Sequence, residues 1–285
     1  MNIPTISVVI PCFNHGEFLP EAVASVISVN RGDVELIVVD DGSTDERTRR
    51  EMDALEAQGI HVIRQENKGL AAARNAAIAA ARGQYIFPLD ADDHMRPACL
   101  DREVPILDAS PKVGVVYSDG EFFGTRSGRW DMGAFSPERL LYWNFIPCCA
   151  LYRRAIWEQN GGYDGSMPVQ GLEDWNFWLG ALEHGWEFHY VPEILFDYRV
   201  KTESMITRTY GSEPEIVKFI ANKHGPLYRD AWIQLTKERD SLKATLFSER
   251  ESLKFNSRNL RRLLKTRLKQ KLLRNGRTSL THAKS

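Results

Sequence analysis

No stretch of this 285-residue chain approaches the ~20 consecutive apolar residues that a helix needs to span a bilayer. The longest apolar runs, "ISVVI" and "ELIVV", are strand-sized, so a bundle of membrane helices is excluded. The opening "MNIPTISVVIP" has no basic region followed by a long apolar core, and no secretory leader is expected. Cysteine is scarce. Cys12, Cys99, Cys148 and Cys149 have no metal-ligand spacing, and an adjacent pair is a poor disulfide framework, so a reducing cytoplasm is the expected compartment. His94, His184 and His189 likewise fall at no metal spacing. Acidic residues are missing from Phe255 to the end, where ten basic ones stand; with a net charge of −1, the rest of the chain must be acidic by roughly the same amount. That break in composition predicts a globular part over 1–230 and a separate tail over 231–285.

With 43% hydrophobic and 26% charged residues the composition is that of an ordinary globular protein. The first part alternates two periods. "ISVVIPCFN" reads as a buried strand and "EFLPEAVASVI" as a helix with apolar residues at Phe18, Leu19, Ala22, Val23, Val26 and Ile27. "VELIVVDDGSTD", "DERTRREMDALEAQ" and "IHVIRQ" continue as strand, helix, strand. "GLAAARNAAIAAAR" is an alanine-rich helix for which Gly83 is the expected C-terminal stop, and "QYIFPLDADD" is the next strand. This rhythm predicts an α/β fold, a mostly parallel sheet flanked by helices, with ligands at the carboxyl ends of the strands.

Three of those ends carry chemistry: "IPCFN" with Pro11, Phe13 and Asn14, "VDDGSTD" with Asp40, Asp41 and Asp45, and "LDADD" with Asp90, Asp92 and Asp93. Packed carboxylates repel one another and are costly to desolvate, so either the last cluster is a solvated turn or something positive sits there. Neither GxGxxG nor GxxxxGK[ST] occurs where a strand meets a helix, so a diphosphate would not rest in a glycine nest. Carboxylates spaced as Asp90-x-Asp92 suit a hard cation that also takes phosphate oxygens.

Taken together, "VVIPCFNHGEFLPEAVASV", "LIVVDDGSTD", "NKGLAAARNAAIAAARGQYIFPLDADD" and "GLEDWNFWL" resemble the family-2 glycosyltransferases of the GT-A fold, over about residues 5–200. The resemblance implies an inverting enzyme that moves a sugar from a nucleotide donor, most often UDP-linked, with Mg²⁺ or Mn²⁺. The acceptor would be a hydroxyl of a glycan or a lipid-linked saccharide. It also implies roles. Pro11, Phe13 and Asn14 would border the base, with Phe13 near the ring. Asp40 would contact the uracil, with Asp41 beside it. Lys68 and Arg74 would face the phosphates. Asp90 would lie near the ribose and Asp92 would be the direct metal ligand. Asp174 would be the general base, with Glu173 next to it. One position departs from the pattern. In "FDYRVKTESM", Lys201 stands where family members often carry a metal-binding histidine, and a protonated lysine cannot ligate. Coordination would then lean on Asp92, phosphate and water, or Lys201 would itself contact the diphosphate.

Plainer readings stay open beside these. Asp40-Asp41-Gly42-Ser43 also suits a simple turn, Arg74 a solvated helix face, and Trp175 and Trp178 core packing rather than stacking on an acceptor sugar. Cys148-Cys149 reads as interior. The chain could also be a catalytically inactive binding protein of the same family. In the tail, Leu235 and Leu242, then Leu246, Leu253 and Leu260, repeat at seven with a four-residue step between the sets. They predict a long helix, a short coiled coil with a stutter. The basic, leucine-bearing end suits peripheral contact with the anionic inner face of a membrane, with oligomerisation or a solvated tail as the alternatives and no specific nucleic acid expected.

Overall fold

The computed structural model describes residues 5–202 and 213–278. Contacts divide the chain into two compact units, Met1–Tyr228 and Arg229–Ser285.

In the first unit β1 (Ile6–Cys12), α1 (Leu19–Ser28), β2 (Val34–Asp40), α2 (Glu46–Ala57), β3 (His61–Arg64), α3 (Leu70–Ala80) and β4 (Tyr85–Pro88) follow the alternation read from the sequence. β5 (His94–Met95), α4 (Cys99–Ala109), β6 (Val113–Gly124), β7 (Gly128–Trp130), α5 (Pro137–Tyr142), β8 (Leu151–Arg153), α6 (Arg154–Asn160), α7 (Glu173–Glu183) and β9 (Glu187–Val200) complete the sheet and its cover. The strand order is β3-β2-β1-β4-β8-β6-β9-β5, with β7 against β6. The half built from β3, β2, β1 and β4 is parallel throughout, whereas β8 runs antiparallel to both its neighbours. β1 is buried along its whole length, as a central parallel strand covered on both faces must be.

The chain leaves β1 in one direction to form β2 and β3 and returns on the other side as β4. The gap between the carboxyl ends of β1 and β4 is therefore the switch point where such sheets bind ligands. Two prolines shape it. The last rung between the strands runs from Leu89 N–H to the Val9 carbonyl (2.9 Å). In a parallel ladder the next would run from residue 11 back to the Leu89 carbonyl, but Pro11 has no N–H. The ladder stops there, one residue past Pro88, and the chain turns off into Asp90.

Two local expectations change. α3 ends at Ala80, and Gly83 lies beyond it with no left-handed backbone. A Cβ at Gly83 would stand 2.5 Å from Ser7 Oγ, so this glycine serves a close approach to β1 rather than a helix stop. Trp175 and Trp178 are core residues; their indole N–H groups donate to the carbonyls of Leu140 (2.7 Å) and Ile146 (3.2 Å).

After residue 212 come α8 (Glu213–Lys223) and α9 (Gly225–Thr278), a 54-residue helix. Leu235, Leu242, Leu246, Leu253 and Leu260 are all exposed on α9. The four-residue step between the two leucine sets is the ordinary d-to-a step of a heptad, so the repeat runs on without a stutter. Of the acid-free stretch, Lys284 lies outside the described residues, as do the side chains from Leu268 onward. No helix among the described residues is long and apolar enough to cross a membrane.

Candidate active site

The first two strand ends are locked to each other. Asn14, held at a positive φ of 54°, accepts at Oδ1 from the N–H of Thr44 (2.8 Å) and of Asp45 (3.2 Å), while its own N–H donates to Ser43 Oγ (3.0 Å). Its side chain is thus spent on joining the loops. Phe13 is not: it is 42% exposed at the mouth of the switch point. Pro11, read as part of the base-bordering loop, is instead buried inside β1.

Asp40 and Asp41 are both buried and do different things. Asp40 Oδ1 accepts from the N–H of Ser43 (2.8 Å), closing the turn at Gly42. Gly42 has a φ of 71°, and a Cβ there would stand 2.6 Å from the backbone nitrogen of Asn67. Among the described residues the second Asp40 oxygen makes no hydrogen bond. Asp41 is fully engaged. Oδ1 accepts from Gln65 Nε2 (2.6 Å) and Lys68 N–H (2.9 Å), and Oδ2 from Gly69 N–H (2.9 Å). It tethers the loop that presents Lys68, whose side chain is exposed.

Arg74 departs most from expectation. It is 1% exposed, which rules out the solvated-helix reading, and it presents no open face to a phosphate. Ala71, Ala73 and Ala77 are small residues that its helix, α3, also buries. Nη2 donates to Asp90 Oδ1 (2.7 Å), Nη1 donates to Glu173 Oε1, and the guanidinium lies over the Tyr163 ring, 5.5 Å from its centroid. One buried cation therefore joins the "DADD" loop to the first turn of α7. Glu173 is spent in the same way, since its Oε2 also accepts from Gly171 N–H (2.9 Å).

Among the described residues Asp174 forms no ion pair. Its oxygens accept from the Trp175 N–H (2.8 Å) and from Asn144 Nδ2 (3.0 Å). Desolvation, helped by the negative charge of Glu173, pushes its carboxyl up to about 7, against the opposing pull of Arg74. A half-buried carboxyl that titrates near neutrality and is held by an amide has the attributes of a general base.

The acid cluster receives the end of β9. β5 pairs with β9 through His94↔Asp197 and Met95↔Phe196. Arg199 N–H donates to Asp93 Oδ1 (2.8 Å), and Arg199 Nε to the Asp92 carbonyl (2.9 Å). Burial drives Asp93 well above the ordinary carboxylate range. Two residues further on, Lys201 Nζ lies 2.5 Å from Asp92 Oδ2 and 3.2 Å from His15 Nε2, and 5.2 Å from the centroid of the Phe18 ring. Burial holds the His15 imidazole below the usual histidine range, so it accepts from the lysine. Asp90 Oδ2 accepts from the Cys148 thiol (3.3 Å), which contact with Cys149 and burial keep protonated.

The positive partner that the acid cluster calls for is thus supplied by the chain: Arg74 for Asp90 and Lys201 for Asp92. A hard divalent cation needs several free oxygens. Here the Asp92 carboxylate faces an ammonium, and no group of three or more His, Cys, Asp or Glu residues suited to a metal is found among the described residues. This donor set does not fit a resident Mg²⁺ or Mn²⁺.

Sequence reasoning missed His15, Asn144, Cys148 and Arg199. It also missed Trp143, 42% exposed beside Asn144. Only "YWN" ahead of the cysteine pair hinted at an aromatic platform there.

Residues 7–161 match the family described as glycosyl transferase family 2. Over 209 residues the chain is 28% identical to the putative teichuronic acid biosynthesis glycosyltransferase TuaG of Bacillus subtilis, covering 71% of this chain and 81% of that one. It spans only 23%, 35% and 42% of the length of three other curated relatives that it matches. The solved structure of S. aureus TarS in complex with UDP-GlcNAc superposes with a TM-score of 0.65 at 19% identity, over 76% of this chain and 65% of that one. A mannosyltransferase from Pyrobaculum calidifontis in complex with GDP-Man and Mn²⁺ gives 0.55 at 20% identity, over 73% and 60%. At these identities the likeness is one of fold, and it is of GT-A type.

Proposed function

The chain belongs to glycosyl transferase family 2, and from that premise we propose that it is an inverting glycosyltransferase. It would move a sugar from a nucleotide donor, UDP-linked by preference, onto a hydroxyl of a glycan or lipid-linked saccharide. The observation that carries the reading is the Arg74 bridge. It ties Asp90, on the donor side, to Glu173, the immediate neighbour of Asp174, which pairs with no cation among the described residues.

In this reading the base of the nucleotide lies at the switch point against Phe13, and the free oxygen of Asp40 accepts one of its N–H groups. Asp41 contributes by holding the loop that carries Lys68, which reaches toward the phosphates. The acceptor sugar stacks on Trp143. Asp174 takes the proton from the attacking hydroxyl as that oxygen bonds to the anomeric carbon, from the face opposite the departing diphosphate, and the configuration inverts. Asn144 holds the carboxylate with its lone pairs toward the acceptor. Positive side chains at the donor end bear the charge that grows on the leaving group.

The test is incubation of the full chain with a panel of sugar nucleotides and candidate acceptors. Expected are free nucleoside diphosphate and a product whose anomeric configuration, read by NMR, is opposite to that of the donor. Binding of sugar nucleotides with no diphosphate released from any would mark an inactive binding protein instead.

A further inference from the structure

We infer that Lys201 takes the place of a divalent cation, so that a nucleoside diphosphate binds to this chain through its own ammonium group and without metal. The inference rests on the glycosyltransferase reading and deepens it at one residue.

Lys201 is not a loose surface lysine. The β5–β9 register and the two bonds from Arg199 to the Asp92–Asp93 backbone and side chain fix the chain two residues before it. Its Nζ then sits between Asp92 Oδ2 and His15 Nε2, above the ring of Phe18. An ammonium group has three donors. Among the described residues Asp92 and His15 take two of them. Among the described residues the third has no acceptor, and a phosphate oxygen at the carboxyl end of β4 would take it. Lysine is an established phosphate binder and acts as a point charge. A metal ion at Asp92 would have to share the carboxylate with that ammonium, and the two cations would repel at close range. Because Asp92 and His15 belong to the ends of different strands, the lysine also pins the nucleotide loop to the acid loop before any donor arrives.

The experiment measures binding rather than turnover. Calorimetry with UDP and with GDP is run on the metal-stripped full chain, once in EDTA and once in Mn²⁺. Expected is the same affinity in both buffers. Lys201→Ala should weaken binding in EDTA by about tenfold or more, the size of a lost hydrogen bond to a charged group. Lys201→Arg should retain most of it, and circular dichroism checks that both variants are folded. Lys201→His should behave in the opposite sense. It should make nucleotide affinity depend on Mn²⁺ and bind the ion in the presence of the nucleotide, read from the loss of the free-Mn²⁺ signal in electron paramagnetic resonance. Wild-type binding that appears only with Mn²⁺, or Lys201→Ala binding as well as wild type in EDTA, overturns the inference and leaves the glycosyltransferase reading standing. No binding of any nucleotide in either buffer overturns both.

Discussion

The end of β4 and the start of α7 each present adjacent carboxyls, and the chain treats them differently. At the end of β4 two are paired with cations, Asp90 with Arg74 and Asp92 with Lys201, while Asp93 is fully buried and accepts a backbone N–H. At the start of α7, among the described residues, Glu173 alone is paired with a cation, while half-buried Asp174 is left with an amide and a backbone N–H. The contrast separates carboxyls paired with a cation or sealed in the core from a half-buried one that has neither. Adjacent acids in a sequence are not equivalent, and the location of the cations together with burial distinguishes them.

The comparison is broken most severely by removing the unanswered group. Asp174→Asn is predicted to lower turnover by about 10²–10⁴ while leaving nucleotide affinity unchanged by calorimetry. Glu173→Gln should leave more turnover than Asp174→Asn; the reverse order would move the base to Glu173. Next in size is loss of the shared cation. Arg74→Met leaves Glu173 buried and Asp90 half-buried without their partner, a change that costs about 3–5 kcal/mol. A thermal melt should show a transition lowered by roughly 6–20 °C. An unchanged melt would mean that the bridge holds nothing together.

A smaller effect sharpens the same contrast. With the Asp174 carboxyl pushed up to about 7, the proposed base is deprotonated above that pH. Turnover under subsaturating acceptor should rise through about pH 7 and, below it, fall about tenfold per unit. Asn144→Ala removes a donor that favours the charged form, so the midpoint should move to higher pH. A midpoint that stays put would show that the amide does not set it. The least change is expected from removal of residues 231–285. Nucleotide affinity should be unaltered. If the basic tail contacts anionic lipid at about 1 kcal/mol per basic residue, the full chain should sediment with anionic vesicles at low salt and the shortened one should not. Equal sedimentation would leave oligomerisation through the leucine repeat as the better account of the helix.

Much of the fold was legible because it is written locally. β1 to β4 follow period-2 and apolar runs, and α1 to α3 follow the helical period, so the strand ends and their acids could be found by reading along the chain. What escaped depends on register between distant segments. Lys201 meets Asp92 only because β9 pairs with β5, and Asn144 meets Asp174 across thirty residues with no motif to announce it. Arg74 was expected to face the phosphates, and its burial against Asp90 and Glu173 cannot be seen in "AAARNAA" alone. Gly83 failed for a related reason. A glycine after a helix suggests a stop, but here the constraint came from Ser7, seventy-six positions earlier.

Pro11 has one more consequence. Two neighbouring strands in a sheet behave like a zipper, each rung making the next easier to close. A missing N–H at residue 11 is a stop on the zipper's track, placed where continued closure would seal the cleft at the switch point. The opening at the top of this sheet therefore owes its existence to an absent hydrogen as much as to the side chains that line it.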